Sequence, residues 1–326
     1  MQRITIVGLG RVGSSLGLAI KGWVNAPEAQ ESGRRGIEVV GFDYDHSAQR
    51  AAEKLGAVDR TEWSLARALK DAALVVLAVP VTQERAVLQE IGPLLMEGAV
   101  VTDTGAHKQQ SLQWASDLLP GGASFVAGHP VLPAAEDWEP SAAVFSGLTY
   151  AIFPHPAAEQ AATEVVVGLV QAIGAKPYFA EPSEHDAQVA ATTMLPALTA
   201  AALMHTASRG AGWRDLKGMA TSDLAEATRL ASVQPEALAG MVELSPVEAV
   251  RWLDGLIARL GELRDLAARE DTEAAERLQQ FFGDAHRARE EWLTPSVQEP
   301  AIPRESVGDQ FNRLFLGSLR RGRRGR

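Results

Sequence analysis

RITIVGLGRVGSSLGLAI, residues 3–20, is the stretch on which the rest of the chain is organised. Residues 3–7 are a short β-branched run, Gly8-Leu9-Gly10-Arg11-Val12-Gly13 follows at once, and from Ser14 apolar residues recur at helical spacing. Strand, then GxGxxG, then helix is the dinucleotide-binding fingerprint in the context it requires. Each glycine has a task. Gly8 makes the tight turn, Gly10 lets backbone approach a pyrophosphate, and Gly13 lets the helix pack close on the strand. Exposed N–H groups and the positive helix end then hold the phosphates. The alternative is a glycine-rich strand–helix turn with no ligand.

Bulk properties narrow the field. A chain of 326 residues with 46 % apolar content suits two domains and a sizeable core. A net charge of −10 argues against nucleic-acid binding, although the sign reverses at the C-terminus. With no cysteine, disulfides, thiolate metal sites and a cysteine nucleophile are excluded. No metal-ligand cluster stands out. The chain enters a strand directly, so no signal peptide is expected and a cytoplasmic protein is. Residues 187–208 are uncharged and long enough to span a bilayer. They carry four threonines, a proline, a glutamine and a histidine, so a buried helix at a subunit or domain interface is expected, with no membrane.

Taken in order, residues 25–36 are a polar insertion, and 37–43 (IEVVGFD) form a second strand ending in Asp43. In this fingerprint that acid bonds the adenosine ribose hydroxyls, so Asp43 favours NAD over NADP. Arg34 and Arg35 keep a 2′-phosphate open as the alternative. Strands are predicted at 73–79, 99–102, 124–127, 148–153 and 176–179. Between them lie predicted helices at 46–56, 64–70, 83–95, 109–118 and 157–173. The alternation gives an α/β, doubly wound, mainly parallel sheet. From Ser183 onward only helices are predicted, at 187–209, 218–231, 235–243, 246–269 and 272–292. The expected division is a dinucleotide-binding domain at 1–182, a helical substrate and dimerisation domain at 183–294, and a basic arm or tail at 295–326.

Ligands of open α/β sheets bind beyond the carboxyl ends of the strands. Three loops there hold useful residues: Val79-Pro80, residues 103–108, and Gly128-His129-Pro130, which reads as a turn. Gly8, Gly10, Arg11, Val12, Gly13, Asp43, Val79 and Pro80 are the expected cofactor contacts. His129 can accept a hydroxyl proton while hydride leaves the same carbon, since an imidazole titrates near neutrality. A histidine that only braces the turn is the alternative.

GLGRVGSSL, LAVPV, VTDTGAHK, FVAGHP and EHDAQVAATTMLPALTAAAL occur here in the order seen in the prephenate and arogenate dehydrogenases. The resemblance spans about residues 3–292 and extends to Arg229 in Glu226-Ala227-Thr228-Arg229-Leu230. It implies a modified dinucleotide-binding domain, an all-helical dimerisation domain and a homodimer. It also implies NAD-dependent oxidative decarboxylation of prephenate or arogenate in tyrosine synthesis. His129 matches the family's proton acceptor, and Arg229 the arginine that binds a substrate carboxylate. A helix-surface ion pair with Glu226 is the alternative for Arg229. Lys108 keeps the family position and is grouped with His107 at the substrate, a surface or capping role for His107 being equally open. Three places depart from the family pattern. Ala106 stands where the family has serine, and Thr193-Met194-Leu195-Pro196-Ala197 where it reads SHLPH. Val131-Leu132-Pro133 also replaces a small, glycine-containing run. A dehydrogenase of another small carboxylic acid and an NAD-binding sensor are the competing readings.

Overall fold

A computed structural model describes residues 2–27, 36–132 and 138–294. Arg34, Arg35, Pro133 and the basic stretch 295–326 lie outside the described residues. Eight strands form one sheet in the order β3-β2-β1-β4-β5-β6-β7-β8. They are β1 (Gln2–Val7), β2 (Ile37–Phe42), β3 (Arg60–Thr61), β4 (Ala72–Leu77), β5 (Val100–Asp103), β6 (Ser124–Pro130), β7 (Thr149–Pro154) and β8 (Lys176–Phe179). All pairs are parallel except β6 with β7. The order reverses between β1 and β4, where a doubly wound sheet opens its ligand crevice.

Helices cover both faces: α1 (Arg11–Val24), α2 (His46–Leu55), α3 (Leu65–Leu69), α4 (Val81–Ile91), α5 (Lys108–Leu118) and α6 (Gln160–Ala172). The period-two alternation of a strand explains how one sheet feeds two cores. Leu74 and Val76 of β4 point to Leu16 and Ile20 of α1 and Val166 and Leu169 of α6. Val75 and Leu77 point the other way, to Leu65 of α3 and Val87, Leu88 and Ile91 of α4. Every residue of β4 is therefore buried, as its unbroken apolar run requires.

Beyond β8 the chain is helical: α7 (Pro182–Val189), α8 (Leu195–Arg209), α9 (Trp213–Met219), α10 (Ser222–Thr228), α11 (Pro235–Leu244), α12 (Pro246–Ala267) and α13 (Thr272–Leu293). The run Pro182–Arg209 is long and apolar enough to cross a membrane by length and composition. It is not one regular helix. A π turn at Ala190–Met194 separates α7 from α8. Pro196 sits in the first turn of α8, where its missing N–H costs least.

Packing divides the chain into a larger unit that reaches Ser245 and a smaller one that begins at Pro246. The division expected at residue 182 falls inside the larger unit. The strand signal ends there, but α7 remains bonded to α5 through Asp186. Likewise α11 rests on α4, where a Cβ on Gly240 would lie 2.3 Å from Thr82 Cγ2.

Candidate active site

The glycine loop is crowded on one side and open on the other. Gly8 has φ +95°, and a Cβ there would lie 2.4 Å from the Ala78 carbonyl oxygen and 3.1 Å from Val79 Cγ1. On Gly13 it would lie 1.9 Å from the Gly8 carbonyl oxygen. Both glycines are therefore demanded by the protein's own backbone. Gly10 differs: no described atom lies within 4 Å of its added Cβ. Gly10 is also the N-cap of α1, offers no side-chain acceptor, and no acid occupies the first turn. The helix thus points its first-turn N–H groups and its positive end toward whatever lies above Gly10. The arrangement fits a pyrophosphate.

Asp43 closes this edge at the end of β2. Its Oδ2 accepts from Leu9 N at 2.7 Å and its Oδ1 from Asp45 N at 2.8 Å. Each oxygen keeps a lone pair for a ribose hydroxyl, so the acid braces the glycine loop and remains available. The cap of α2 is Asp45, which accepts from Ser47 N at 2.7 Å. Arg11 is exposed at the loop and lies 5.6 Å from the centroid of the Trp138 ring. Val12 packs against the core, which leaves only its backbone for a ligand. Pro80 is exposed as the N-cap of α4.

Strands β1, β4, β5 and β6 are parallel neighbours, so their carboxyl ends line up on one edge. At a strand spacing near 4.8 Å, β6 lies about 14 Å from β1. His129 stands at this end of β6, and here the structure corrects the expected turn. Gly128-His129-Pro130 continues the strand, with His129 opposite Ala151 of the antiparallel β7.

Beneath His129 lies a buried ion pair. Lys108 is fully buried, is paired with Asp103, and donates from Nζ to the Gly128 carbonyl at 2.9 Å. Asp103 also accepts from Gly128 N and Gly105 N, each at 3.0 Å. The substrate contact expected of Lys108 is therefore not what the structure displays. Its ammonium is turned inward and ties the loop after β5 to the backbone beside His129. Between α4 and this pair, Glu84 is buried with its Oε2 2.9 Å from Ser111 Oγ. Burial and the Asp103 charge push its carboxyl up to about 8.

Three histidines meet at the head of α5. His129 Nδ1 lies 3.0 Å from His185 Nε2, and His185 Nδ1 lies 3.4 Å from Asp186 Oδ1. Asp186 also accepts from Lys108 N at 2.8 Å and Gln109 N at 3.0 Å, which caps α5 from a distant helix. His107, the N-cap of α5, is buried, bonds the Met241 backbone, and leaves its Nδ1 without a partner among the described residues. Burial, then the charges of Lys108, His185 and His107, hold the His129 imidazolium well below the usual histidine range. His129 is therefore neutral at physiological pH and able to take a proton.

His185, Asp186, Asp103 and Glu84 were not singled out from sequence. One signal was available. Residues 104–107 offer α5 a threonine at its loop but no Ser, Asp or Asn at the cap itself, so an acceptor had to come from elsewhere. Arg229 is exposed on the 3₁₀ turn Arg229–Ser232 after α10. It makes no ion pair with Glu226 and none with the His129 cluster among the described residues. Ala106 brings no hydroxyl to this neighbourhood.

A glycine loop at a helix end and a neutral imidazole on the same sheet edge suit a dehydrogenase of the doubly wound class. Comparison with known proteins agrees. Residues 26–179 match the family model "Prephenate dehydrogenase, nucleotide-binding domain", and residues 181–283 match "Prephenate dehydrogenase, dimerization domain". The chain belongs to the prephenate dehydrogenase family. It is 29 % identical to the prephenate dehydrogenase of Bacillus subtilis (strain 168) over 306 residues, 92 % of this chain and 78 % of the relative. Its fold is also that of prephenate dehydrogenase from A. aeolicus in complex with hydroxyphenyl propionate and NAD+, at TM-score 0.76 and 23 % identity, covering 89 % of this chain and 98 % of the other. Synechocystis arogenate dehydrogenase aligns at TM-score 0.67 and 24 % identity, over 88 % of this chain and 100 % of the other.

Proposed function

We propose that this protein is an NAD-dependent dehydrogenase that oxidatively decarboxylates prephenate to 4-hydroxyphenylpyruvate, or arogenate to tyrosine. The observation that carries the reading is His129, a neutral imidazole at the carboxyl end of β6 on the same edge as the glycine loop. In this reading Gly8, Gly10, Arg11, Gly13 and Asp43 hold the dinucleotide through backbone N–H groups, the helix end and the ribose acid. NAD supplies the acceptor for the ring hydride. His129 takes the hydroxyl proton from the same ring carbon. Loss of the ring carboxylate as carbon dioxide leaves an aromatic ring, which makes the step run downhill. The protein need only align the ring, remove one proton and anchor the side-chain carboxylate. Arg229, exposed and without an ion pair among the described residues, is assigned the carboxylate; buried His107, whose Nδ1 has no partner among them, is assigned a polar contact to substrate.

We further assign a homodimer formed through the helical region. Leu216 and Met219 of α9 and Leu203 of α8 are exposed apolar residues, which a partner subunit would cover. Light scattering at twice the chain mass is the expected result.

The deciding assay follows NADH with prephenate and with arogenate, each with NAD and NADP, for wild type and His129→Asn. Turnover with one or both acids is expected, and a loss of about 10²–10⁴-fold in the variant with NAD affinity kept. Wild type that binds NAD but turns over neither acid would overturn the reading in favour of a sensor.

A further inference from the structure

We propose that His185 and Asp186 are positioning residues that hold His129 with its proton on Nδ1 and its lone pair on Nε2, facing substrate. The proposal rests on the reading of His129 as the base. Its premises are geometric. Asp186 Oδ1 is an acceptor only, so the His185 Nδ1 beside it, at 3.4 Å, carries the hydrogen. A neutral His185 then has its lone pair on Nε2. That nitrogen lies 3.0 Å from His129 Nδ1, which must donate. Only Nε2 of His129 is left to accept, and a ring with the opposite tautomer would offer an N–H to the substrate hydroxyl and could not act as a base.

The surroundings keep this chain in one orientation. The His185 ring meets the Phe153 ring edge-on, with centroids 4.8 Å apart, and the His129 ring at 5.0 Å. Asp186 is fixed in turn by the two backbone N–H groups at the head of α5. A rotation of either imidazole would have to break a helix cap or unpack an aromatic contact.

The same chain shapes the charged state. When Nε2 takes the substrate proton, His129 carries hydrogens on both nitrogens and a positive charge. Lys108 of α5 opposes that charge, although Asp103 of β5 is paired with it. His107 at the head of α5 opposes it too, and β7 presents only Ala151 opposite. Among the described residues, Asp186 is the group whose charge favours the imidazolium, and His185 is the link that passes its influence to Nδ1. The proton balance is closed: one proton leaves the substrate hydroxyl for Nε2, loss of carbon dioxide leaves a phenolate oxygen, and that oxygen takes one proton back, so none is released overall. His185 keeps its own proton throughout.

The test combines ¹⁵N spectra of the histidine rings with kinetics, on wild type, His185→Ala and His185→Gln, the His129 signals being assigned with His129→Asn. Wild type should display His129 as the Nδ1–H form. His185→Ala should revert it to the Nε2–H form and lower kcat about 10- to 100-fold, the loss expected for one hydrogen bond to a charged group. NAD affinity should not change. His185→Gln, whose Oε1 can accept from Nδ1, should keep the Nδ1–H form and recover most of the turnover. A wild-type His129 in the Nε2–H form would overturn the proposal. So would His185→Ala within twofold of wild type, or a glutamine variant no better than alanine. If His185→Ala fails to fold, the wild-type spectrum and the glutamine variant still decide. Absence of turnover in wild type would sink the functional reading, while the spectra would still decide the tautomer.

Discussion

Glu84 offers a sharp test of the electrostatics beneath the site. Ser111 Oγ lies 2.9 Å from Glu84 Oε2 and 2.8 Å from the His107 carbonyl oxygen. A hydroxyl has one proton, so it can donate to only one of them. If Glu84 is protonated, its own hydrogen goes to Ser111 and the serine proton goes to His107, and both contacts are satisfied. The buried Oε1, which has no partner among the described residues, is then tolerable as well. A neutral Glu84 agrees with a carboxyl pushed from its ordinary 4.5 up to about 8 by burial and by Asp103. The sign of the linkage follows. Between about pH 4.5 and pH 8 the folded chain holds a proton that the unfolded chain has released. Stability conferred by this group is therefore full at the acid end and declines as pH rises. The slope can reach about 1.4 kcal/mol per pH unit, and about 4–5 kcal/mol is the ceiling for the whole interval. Glu84→Gln keeps the shape and a donor for Ser111 and removes the titration. In denaturant unfolding at pH 6, 7, 8 and 9, wild type should lose stability toward pH 8 relative to the variant, which should be the more stable of the two at pH 8. Parallel curves would refute a protonated Glu84 and leave Ser111 with an unmet acceptor to explain.

Three further outcomes are expected. Turnover should rise with pH along a limb that lies below the ordinary histidine value of 6.5 and be flat through neutrality, because the active base is the deprotonated form and burial with the Lys108 charge favours it; a limb above 6.5 would contradict the assignment of His129. Lys108→Met should destabilise the chain by about 3–5 kcal/mol by stranding the buried Asp103 charge, and Lys108→Met with Asp103→Asn should regain part of the loss in chemical denaturation. Asp43→Asn should weaken NAD about 10- to 100-fold, by loss of a hydrogen bond to a charged acceptor, and narrow the NAD-to-NADP affinity ratio measured by titration calorimetry.

What could be read from sequence was what depends on near neighbours. The β1–glycine loop–α1 unit is set by residues within about twenty positions of each other, and the buried run of β4 by its own composition. The place of Asp43 beside the glycine loop was legible because the end of β2 has a fixed place in this unit. The place of His129 at this sheet edge was legible too, yet its backbone was misread. Glycine and proline punctuate turns, so Gly128-His129-Pro130 looks like one. Gly128 is there for another reason: a Cβ would lie 2.7 Å from Tyr150 Cε1 and 3.0 Å from the Asp103 carbonyl oxygen. Close packing, a tertiary cause, selected it. Lys108 was grouped with the substrate because it keeps the family position. Only a partner that folding brings under it makes burial tolerable. His185-Asp186 was missed for a similar reason. An acid in the first turns of a helix reads as support for that helix, but Glu181 caps α7, accepting from Ser183 N at 2.7 Å, and Asp186 is left to cap α5.

The antiparallel pairing of β6 and β7 gives His129 a firmness that a parallel sheet would not. In a parallel sheet the residue beyond a strand's carboxyl end belongs to a loop, and its position varies with that loop. Here β7 returns along β6 as far as Pro130, so His129 lies within the ladder, opposite Ala151. The residue before it is fixed a second time. Gly128 N donates to Asp103 and its carbonyl accepts from Lys108, so the buried ion pair grips the peptide on the N-terminal side of the base. The side chain is then held through Nδ1 by His185. Backbone ladder, ion pair and imidazole neighbour constrain different degrees of freedom of one residue. Catalysis tolerates displacement of only about 0.5 Å at such a group. With His129 as the proposed base, loss of any one of the three should therefore lower kcat more than it raises KM, since each fixes His129.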